Sequence, residues 1–204
     1  MSKTILIAGC EGKVGSATVT LFKENGWQVV GLDIKDKTSL NLDKYYSVDI
    51  KDTAAVSAAV DDIDAEMTID AVFNAAGYVI DKGFEEATAE EWDVLLDTIL
   101  GGSGNLCKAT APKMVERKGG KIILLSCDYA KQPDAAVLDA VAANTLHGFG
   151  KSFGVEMAPN NVLINVLYAN TPLDIEKVTE TVLYLADKDT YTCAHVISIS
   201  GEEL

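Results

Sequence analysis

Short apolar runs alternate along the chain with longer segments of mixed polarity. Runs such as residues 122–125, which are apolar at every position, are typical of strands covered on both faces of a parallel sheet. We predict strands over residues 4–8, 28–33, 45–48, 69–74, 121–126, 162–167 and 195–200. We predict helices over 14–25, 53–63, 90–117 with an interruption at the glycine-rich stretch 101–104, 135–157 and 175–187.

The alternation of strand and helix predicts an α/β fold class. It indicates a single-domain Rossmann fold with a doubly wound parallel sheet of about seven strands and helices on both faces. The 204 residues suit one domain, and an apolar share of 48% is enough for its core. Because no repeat, low-complexity tract or linker divides the sequence, we expect one domain over residues 1–204.

Composition and charge exclude several classes of function. A formal charge of −14 repels phosphate backbones, so no nucleic-acid partner is expected. The sequence holds no apolar run of the ~18–20 residues needed to cross a bilayer and no signal-peptide pattern, so we expect no membrane and a cytoplasmic location. The four cysteines, at 10, 107, 127 and 193, fit neither a zinc site nor a redox pair. We predict reduced thiols and no metal.

A glycine-rich segment follows the first predicted strand and opens the first helix. In the Gly-x-x-Gly-x-x-Gly spacing of residues 9–15, small residues permit a tight turn and a close approach of the backbone to a pyrophosphate. The N-terminus of the helix then faces the phosphates with unpaired N–H groups. The cofactor contacts predicted here are Gly9, Cys10, Gly12, Lys13, Val14 and Gly15.

Asp33 closes the second predicted strand and is followed by Ile34. A carboxylate at this point accepts hydrogen bonds from the adenosine ribose and repels a 2′-phosphate, so NAD(H) is favoured over NADP(H). Lys35 and Lys37 lie close by in the sequence and could soften that preference, although an exposed lysine after a strand is more often simply solvated. We therefore predict an NAD(H) site along the first half of the chain.

Further fragments of this sequence resemble segments of the short-chain dehydrogenase/reductase family, and they occur in the same order and with the same spacing as in that family. Asp49 resembles the family aspartate at the adenine, and residues 74–77 resemble its Asn-Asn-Ala-Gly motif. Residues 92–97, 119–123 and 151–159, together with Gly201, are similar to other family segments. The cofactor contacts that this resemblance implies are Asp49, Ile50, Asn74, Ala75, Ala76 and Gly77.

The usual catalytic residues of that family are missing from their expected positions. The family carries a Tyr-x-x-x-Lys pair on the helix after strand five, where the lysine lowers the tyrosine pKa for proton transfer, and a serine that holds the substrate oxygen. Alignment on residues 151–159 puts Asp139 at the tyrosine position and Ala143 at the lysine position. Cys127 falls at the serine position, and Ile99 or Thr98 at that of a helix asparagine. The resemblance therefore implies a divergent member that lacks the Tyr-x-x-x-Lys pair.

Two functions remain open. The first is a non-standard oxidoreductase acting on a small carbonyl or alcohol, with Ser126, Cys127 or Tyr129 in place of the usual set; Cys127 also suits a small buried core residue. The loop over residues 168–174 is too short for the family's substrate lid. The second is a catalytically silent NAD(H)-binding protein that acts as a redox sensor or an assembly subunit.

The family's interface helices imply a homodimer or a homotetramer. Small residues at 101–104 and 135–143 suit close helix contacts, either between subunits or within one chain. His147 shares a helix face with Asp139 and Ala143, and is expected to be a packed histidine at an oligomer surface.

Overall fold

Seven parallel strands form one sheet in the computed structural model, which describes residues 2–80, 82–128, 137–170, 173–187 and 189–199. The strands are Thr4–Ala8 (β1), Gln28–Asp33 (β2), Lys44–Ser47 (β3), Ala71–Asn74 (β4), Gly120–Asp128 (β5), Val162–Asn170 (β6) and His195–Ile199 (β7). Their spatial order is β3-β2-β1-β4-β5-β6-β7, and each neighbouring pair is parallel. The predicted α/β Rossmann fold is confirmed.

Six α-helices connect these strands within the described ranges. They are Lys13–Glu24 (α1), Thr53–Glu66 (α2), Ala89–Leu96 (α3), Gly102–Arg117 (α4), Val137–Met157 (α5) and Ile175–Ala186 (α6), with a short 3-10 turn at Ala158–Asn160. No helix in this part of the chain combines the length and the apolar character that a membrane span requires.

The predicted interruption of the helix lies earlier than residues 101–104. A π-helical turn at Asp97–Gly101 interrupts the α-helix and includes the first of these glycines, whereas residues 102–104 belong to α4. A Cβ atom on Gly102 would stand 2.6 Å from Cγ2 of Ile50, so this glycine allows α4 to pack directly against that side chain. Here the glycine serves close packing instead of breaking the helix.

Helices cover both faces of the sheet, as the apolar strands predicted. Along β1, Leu6 contributes to the core beneath α2, α4 and α5, whereas Ile5 and Ile7 contribute to the core beneath α1 and α6. This division follows the alternation of side chains along a strand. The two cores together hold the sheet between its layers of helices.

The order of the strands reverses between β1 and β4. From β1 the chain passes outward to β2 and β3, and it then returns to β4 on the other side of β1. In a doubly wound sheet this reversal opens a crevice beyond the carboxyl ends of the two strands, where ligands bind. The loops that follow β1, β2 and β4 therefore meet at one place.

Candidate dinucleotide-binding site

A cavity of about 600 Å³ lies at this crevice. It is lined by the loop after β1, the end of β2, the segment after β3 and the loop after β4. The predicted cofactor residues that line it are Gly9, Gly12, Asp33, Ile34, Asp49, Ile50, Ala75, Ala76 and Gly77. The structure thus brings together residues that are far apart in the sequence, and their contact with a cofactor stays a prediction.

The other predicted residues, Cys10, Lys13, Val14, Gly15 and Asn74, are not part of the cavity lining but lie close in the sequence to residues that are. Cys10 and Val14 are buried in the core beneath α1 and α6, and Lys13 is exposed at the start of α1. A Cβ atom on Gly15 would collide with the carbonyl oxygen of Gly9 and stand 2.8 Å from Cα of Cys10. Gly15 therefore permits the tight contact between α1 and the turn that precedes it.

Gly9 has a geometric requirement of its own. Its φ of +71° lies in the left-handed region, and a Cβ atom there would stand 2.6 Å from the backbone nitrogen of Ala76. The loops after β1 and β4 therefore touch backbone to backbone. A side chain at this position would separate the two walls of the cavity.

The N-terminus of α1 suits a phosphate group. Its N-cap, Gly12, offers no side-chain hydrogen bond to the first turn, and that turn holds no acidic residue. The first N–H groups of a helix have no partner within the helix, and they carry a partial positive charge. Gly12 lines the cavity, so these amides are available to a phosphate there; that they bind one stays a prediction.

Asp33 is fixed in place by the glycine-rich loop. Its Oδ2 accepts a hydrogen bond from the backbone N–H of Glu11 at 2.9 Å, and its Oδ1 accepts one from the N–H of Lys35 at 3.3 Å. A carboxylate has about four lone-pair sites, so both oxygens can still accept from ribose hydroxyls. The side chain of Asp33 is thus held in one orientation at the cavity, and its contact with a ribose stays a prediction.

Asn74 acts through the loop that it supports. It is 2% exposed, its Oδ1 accepts from the N–H of Ala76 at 3.1 Å, and its Nδ2 donates to Oγ of Ser103 at 2.8 Å. Ser103 in turn donates to the carbonyl of Ile99 at 2.5 Å. Ser103 was not predicted from the sequence, because alignment with the family pointed to Ile99 or Thr98. The sequence did offer a signal, because Ser103 is a small polar residue four positions, or about one helical turn, after Ile99.

Several other residues that the sequence analysis did not assign to the cofactor also line the cavity: Ala8, Glu11, Leu32, Lys35, Val48, Lys51, Tyr78, Val94 and Thr98. Glu11 was passed over because its motif is recognised by glycines. The lining thus carries three carboxylates and two ammonium groups. Within the described ranges no three His, Cys, Asp or Glu side chains cluster as ligands for a metal ion.

Asp139 and Ala143, which the sequence alignment predicts at the family's tyrosine and lysine positions, are both buried in α5. Asp139 is 1% exposed, and its Oδ1 accepts a hydrogen bond from the backbone N–H of Ile80 at 2.9 Å. Ala143, at the lysine position, is 3% exposed within α5. The carboxylate at the tyrosine position therefore holds the segment that follows β4.

Ser126 lies beside His147 and Tyr168. The Oγ of Ser126 donates to the carbonyl of Ala143 at 2.9 Å and lies 3.3 Å from Nε2 of His147. Because the hydroxyl has only one proton, we assign the donor role in the second contact to His147. The His147 ring also makes an edge contact with Tyr168, at 4.7 Å between centroids, so the histidine is packed within the chain, and its place at an oligomer surface stays a prediction.

The other two catalytic candidates fall outside the described atoms. Tyr129 and the side chain of Cys127 are not among them, so their roles as substrate contacts stay predictions, as does that of Ser126. The Tyr-x-x-x-Lys spacing absent from α5 occurs after β4, at Tyr78 and Lys82, and again at Tyr184 near the end of α6. Tyr78 lines the cavity, and Lys82 pairs with Glu91 at 2.5 Å between Nζ and Oε1.

The fold and the cavity define a doubly wound α/β protein with a dinucleotide crevice, and comparisons with known proteins identify its family. The sequence model of the family described as short chain dehydrogenase matches residues 3–172. The oxidoreductase UcpA of Salmonella typhimurium is 29% identical over 84% of this chain and 71% of its own length. A 3-oxoacyl-[acyl-carrier-protein] reductase, FabG of Chlamydia muridarum, is 28% identical over 82% of this chain and 73% of its own length.

Solved structures share the fold at lower sequence identity. ElxO with bound NADP superposes with a TM-score of 0.89 at 18% identity, and the match covers 98% of each chain. A 3-oxoacyl-[acyl-carrier protein] reductase from Brucella melitensis with bound NAD gives a TM-score of 0.84 at 21% identity, covering 98% of this chain and 90% of that one. The protein belongs to the short-chain dehydrogenase family, whose fold binds a nicotinamide cofactor.

Proposed function

We propose that this protein is an NAD(H)-dependent oxidoreductase with an atypical active site, acting on a small carbonyl or alcohol substrate. The observation that carries the proposal is the placement of Asp33 at the rim of the glycine-lined cavity, 2.9 Å from the N–H of Glu11. A carboxylate there favours a ribose with a free 2′-hydroxyl. Relatives named as oxidoreductases support the reaction class.

The residues of the cavity fit the parts of an extended dinucleotide. The first amides of α1 would hold the pyrophosphate, and Asp33 would accept hydrogen bonds from the adenosine ribose. Asp49 and Ile50, after β3, would border the adenine. When bound, the nicotinamide supplies or accepts a hydride, and the chain must orient it and move a proton.

The proton must come from a group other than the usual pair. Alignment on residues 151–159 puts Asp139 and Ala143 at the family's positions. The candidates from the sequence are Ser126, Cys127 and Tyr129, and the cavity-lining Tyr78 adds a fourth. General acid–base catalysis contributes roughly 10²–10⁴ in rate. An enzyme with a poorly placed proton donor is therefore expected to be slow, not inert.

The proposal is tested by fluorescence titration with NADH. A screen of aldehydes, ketones and enones for loss of NADH absorbance then measures turnover. Cys127→Ala, Tyr129→Phe and Tyr78→Phe each remove one candidate group. Tyr184→Phe, on the outer face of α6 where the tyrosine is 63% exposed, is the matched control. Turnover that falls in one of the first three variants and not in the control supports the enzyme. If calorimetry with NAD⁺ and NADH at millimolar concentrations detects no binding, the proposal is wrong.

One observation favours the alternative, a silent NAD(H)-binding protein that acts as a redox sensor or assembly subunit. Asp139, at the tyrosine position, holds the backbone of Ile80 at 2.9 Å, which is a structural role. A sensor would bind NADH and NAD⁺ with different affinities and show no turnover across the panel. Binding of both cofactors measured alongside the turnover screen separates the two functions.

A further inference from the structure

Glu11 occupies the one charged position of the glycine-rich loop that faces the segment after β2. Its side chain is 14% exposed, and its Oε1 accepts a hydrogen bond from Oγ1 of Thr38 at 2.5 Å. Its Oε2 lies 3.4 Å from Nζ of Lys35. The carboxylate is therefore held on two sides, and it forms an ion pair with Lys35, whose own side chain is 58% exposed.

This ion pair stands where the cofactor's adenosine ribose is proposed to bind. Glu11 and Lys35 both line the cavity, and the backbone N–H of each donates to Asp33. A 2′-phosphate on that ribose would approach two carboxylates. The ammonium group of Lys35, which could have attracted it, is already paired.

The carboxylates of Glu11 and Asp33 contribute to raised pKa values of two neighbouring groups, Cys10 and Tyr45. Burial raises the pKa of Cys10 to about 12, with Asp33 and Glu11 adding to the rise and Lys35 opposing it. Burial likewise raises the pKa of Tyr45 to about 12, again with Asp33 and Glu11 contributing. The hydroxyl of Tyr45 donates to the carbonyl of Lys35 at 2.5 Å, so this phenol borders the same site.

We infer that Glu11 is a specificity-determining residue that excludes 2′-phosphorylated dinucleotides, both through its own charge and by holding Lys35. The inference rests on the proposed binding of NAD(H). It extends the selectivity from Asp33 to a second carboxylate on a different loop. It also explains how a lysine close to the ribose is compatible with a preference for NAD(H).

Glu11→Gln tests this role with little change of shape, since the amide oxygen can still accept from Thr38. We expect the affinity for NADPH to rise at least about tenfold and that for NADH to change less than about threefold, because only the phosphorylated cofactor carries charge at this position. Glu11→Ser repeats the test with a smaller side chain. Glu24→Gln removes the same charge from the exposed end of α1 and is expected to leave both affinities unchanged.

The contribution of Lys35 is tested by adding Lys35→Ala to Glu11→Gln, which is expected to abolish most of the gain for NADPH. A gain that survives the loss of the lysine would contradict its part in the inference. If the wild type binds NADH normally and both folded Glu11 variants show unchanged NADPH affinity, the inference about Glu11 is wrong and the proposed function is unaffected. Absence of NADH binding by the wild type would instead remove the proposed function on which it rests.

Discussion

The buried carboxylate of Asp139 in helix α5 accepts a hydrogen bond from the backbone N–H of Ile80, with 2.9 Å between Oδ1 and the nitrogen. We expect Asp139→Ala to lower the free energy of unfolding by about 1.5–3 kcal/mol, the range for hydrogen bonds to charged groups. Asp139→Asn should cost less, since its amide oxygen can still accept. Urea denaturation of the two variants measures the difference; equal stability of wild type and Asp139→Ala would show that the contact contributes nothing.

Restoring the family pair is expected to fail. In the variant with Asp139→Tyr and Ala143→Lys, the phenol must enter the space now occupied by the backbone of Ile80, because residue 139 is only 1% exposed. Forcing a larger side chain into a packed site costs about 1–3 kcal/mol. We predict reduced stability and no gain in turnover with carbonyl substrates. A stable variant with increased turnover would show that the segment after β4 moves aside.

Gly15→Ala is expected to damage both folding and cofactor binding. The added Cβ would collide with the backbone of Gly9 and Cys10, which cannot rotate away as a side chain would. We predict a loss of about 1–3 kcal/mol in stability and weaker NADH binding. Gly148→Ala in α5 is the matched control, because nothing lies within 4 Å of its Cβ position. That substitution should stabilise the helix by about 0.5–1 kcal/mol. Similar effects at the two glycines would contradict the proposed close contact.

The stability of the protein should depend on Asp43 in acid. Burial opposes ionisation of this carboxyl, but the hydrogen bonds from Lys23 at 2.8 Å and from the N–H of Val29 at 2.6 Å prevail and lower its pKa. A pKa that is lower in the folded state adds stability above the unfolded value of about 3.9, and this contribution is lost as the pH falls through the folded value.

Denaturation curves recorded from about pH 6 down to about pH 2 test this dependence. In Asp43→Asn the decline in stability below about pH 4 should be shallower than in the wild type, while Asp93→Asn, at an exposed position of α3, should follow the wild type. Parallel curves for all three proteins would show that Asp43 is not a main acid-sensitive group.

The fold was largely predictable because the chain marks its strands with uninterrupted apolar runs. The ends of strands were harder to predict. β5 and β6 both run beyond their predicted limits. Tyr168, one residue past the predicted end of β6, pairs in register with Ser126, and both side chains contact His147. Such polar residues gain their strand geometry from a partner across the sheet, which the sequence alone does not display.

The glycine-rich half of the site could be predicted because its physical requirement is local. Gly12 and Gly15 face backbone atoms of Gly9 and Cys10 in the same short segment, whereas the contact of Gly9 with Ala76 in the loop after β4 appears only in the structure. The contacts of Glu11 with Lys35 and of Asp139 with Ile80 join segments distant in the sequence. The spacing of residues along the sequence does not indicate such pairs, so the contacts of Glu11 and Asp139 became apparent only in the structure.

Neighbouring residues of α4 touch two separate walls of the cavity: Gly102 packs against Ile50 in the segment after β3, and Ser103 accepts a hydrogen bond from Asn74 beneath the loop after β4. A slide of this helix along its axis would therefore alter both walls at once. The shapes of the two walls are therefore linked through α4. A redesign of the crevice must change this helix together with its contacts to Ile50 and Asn74.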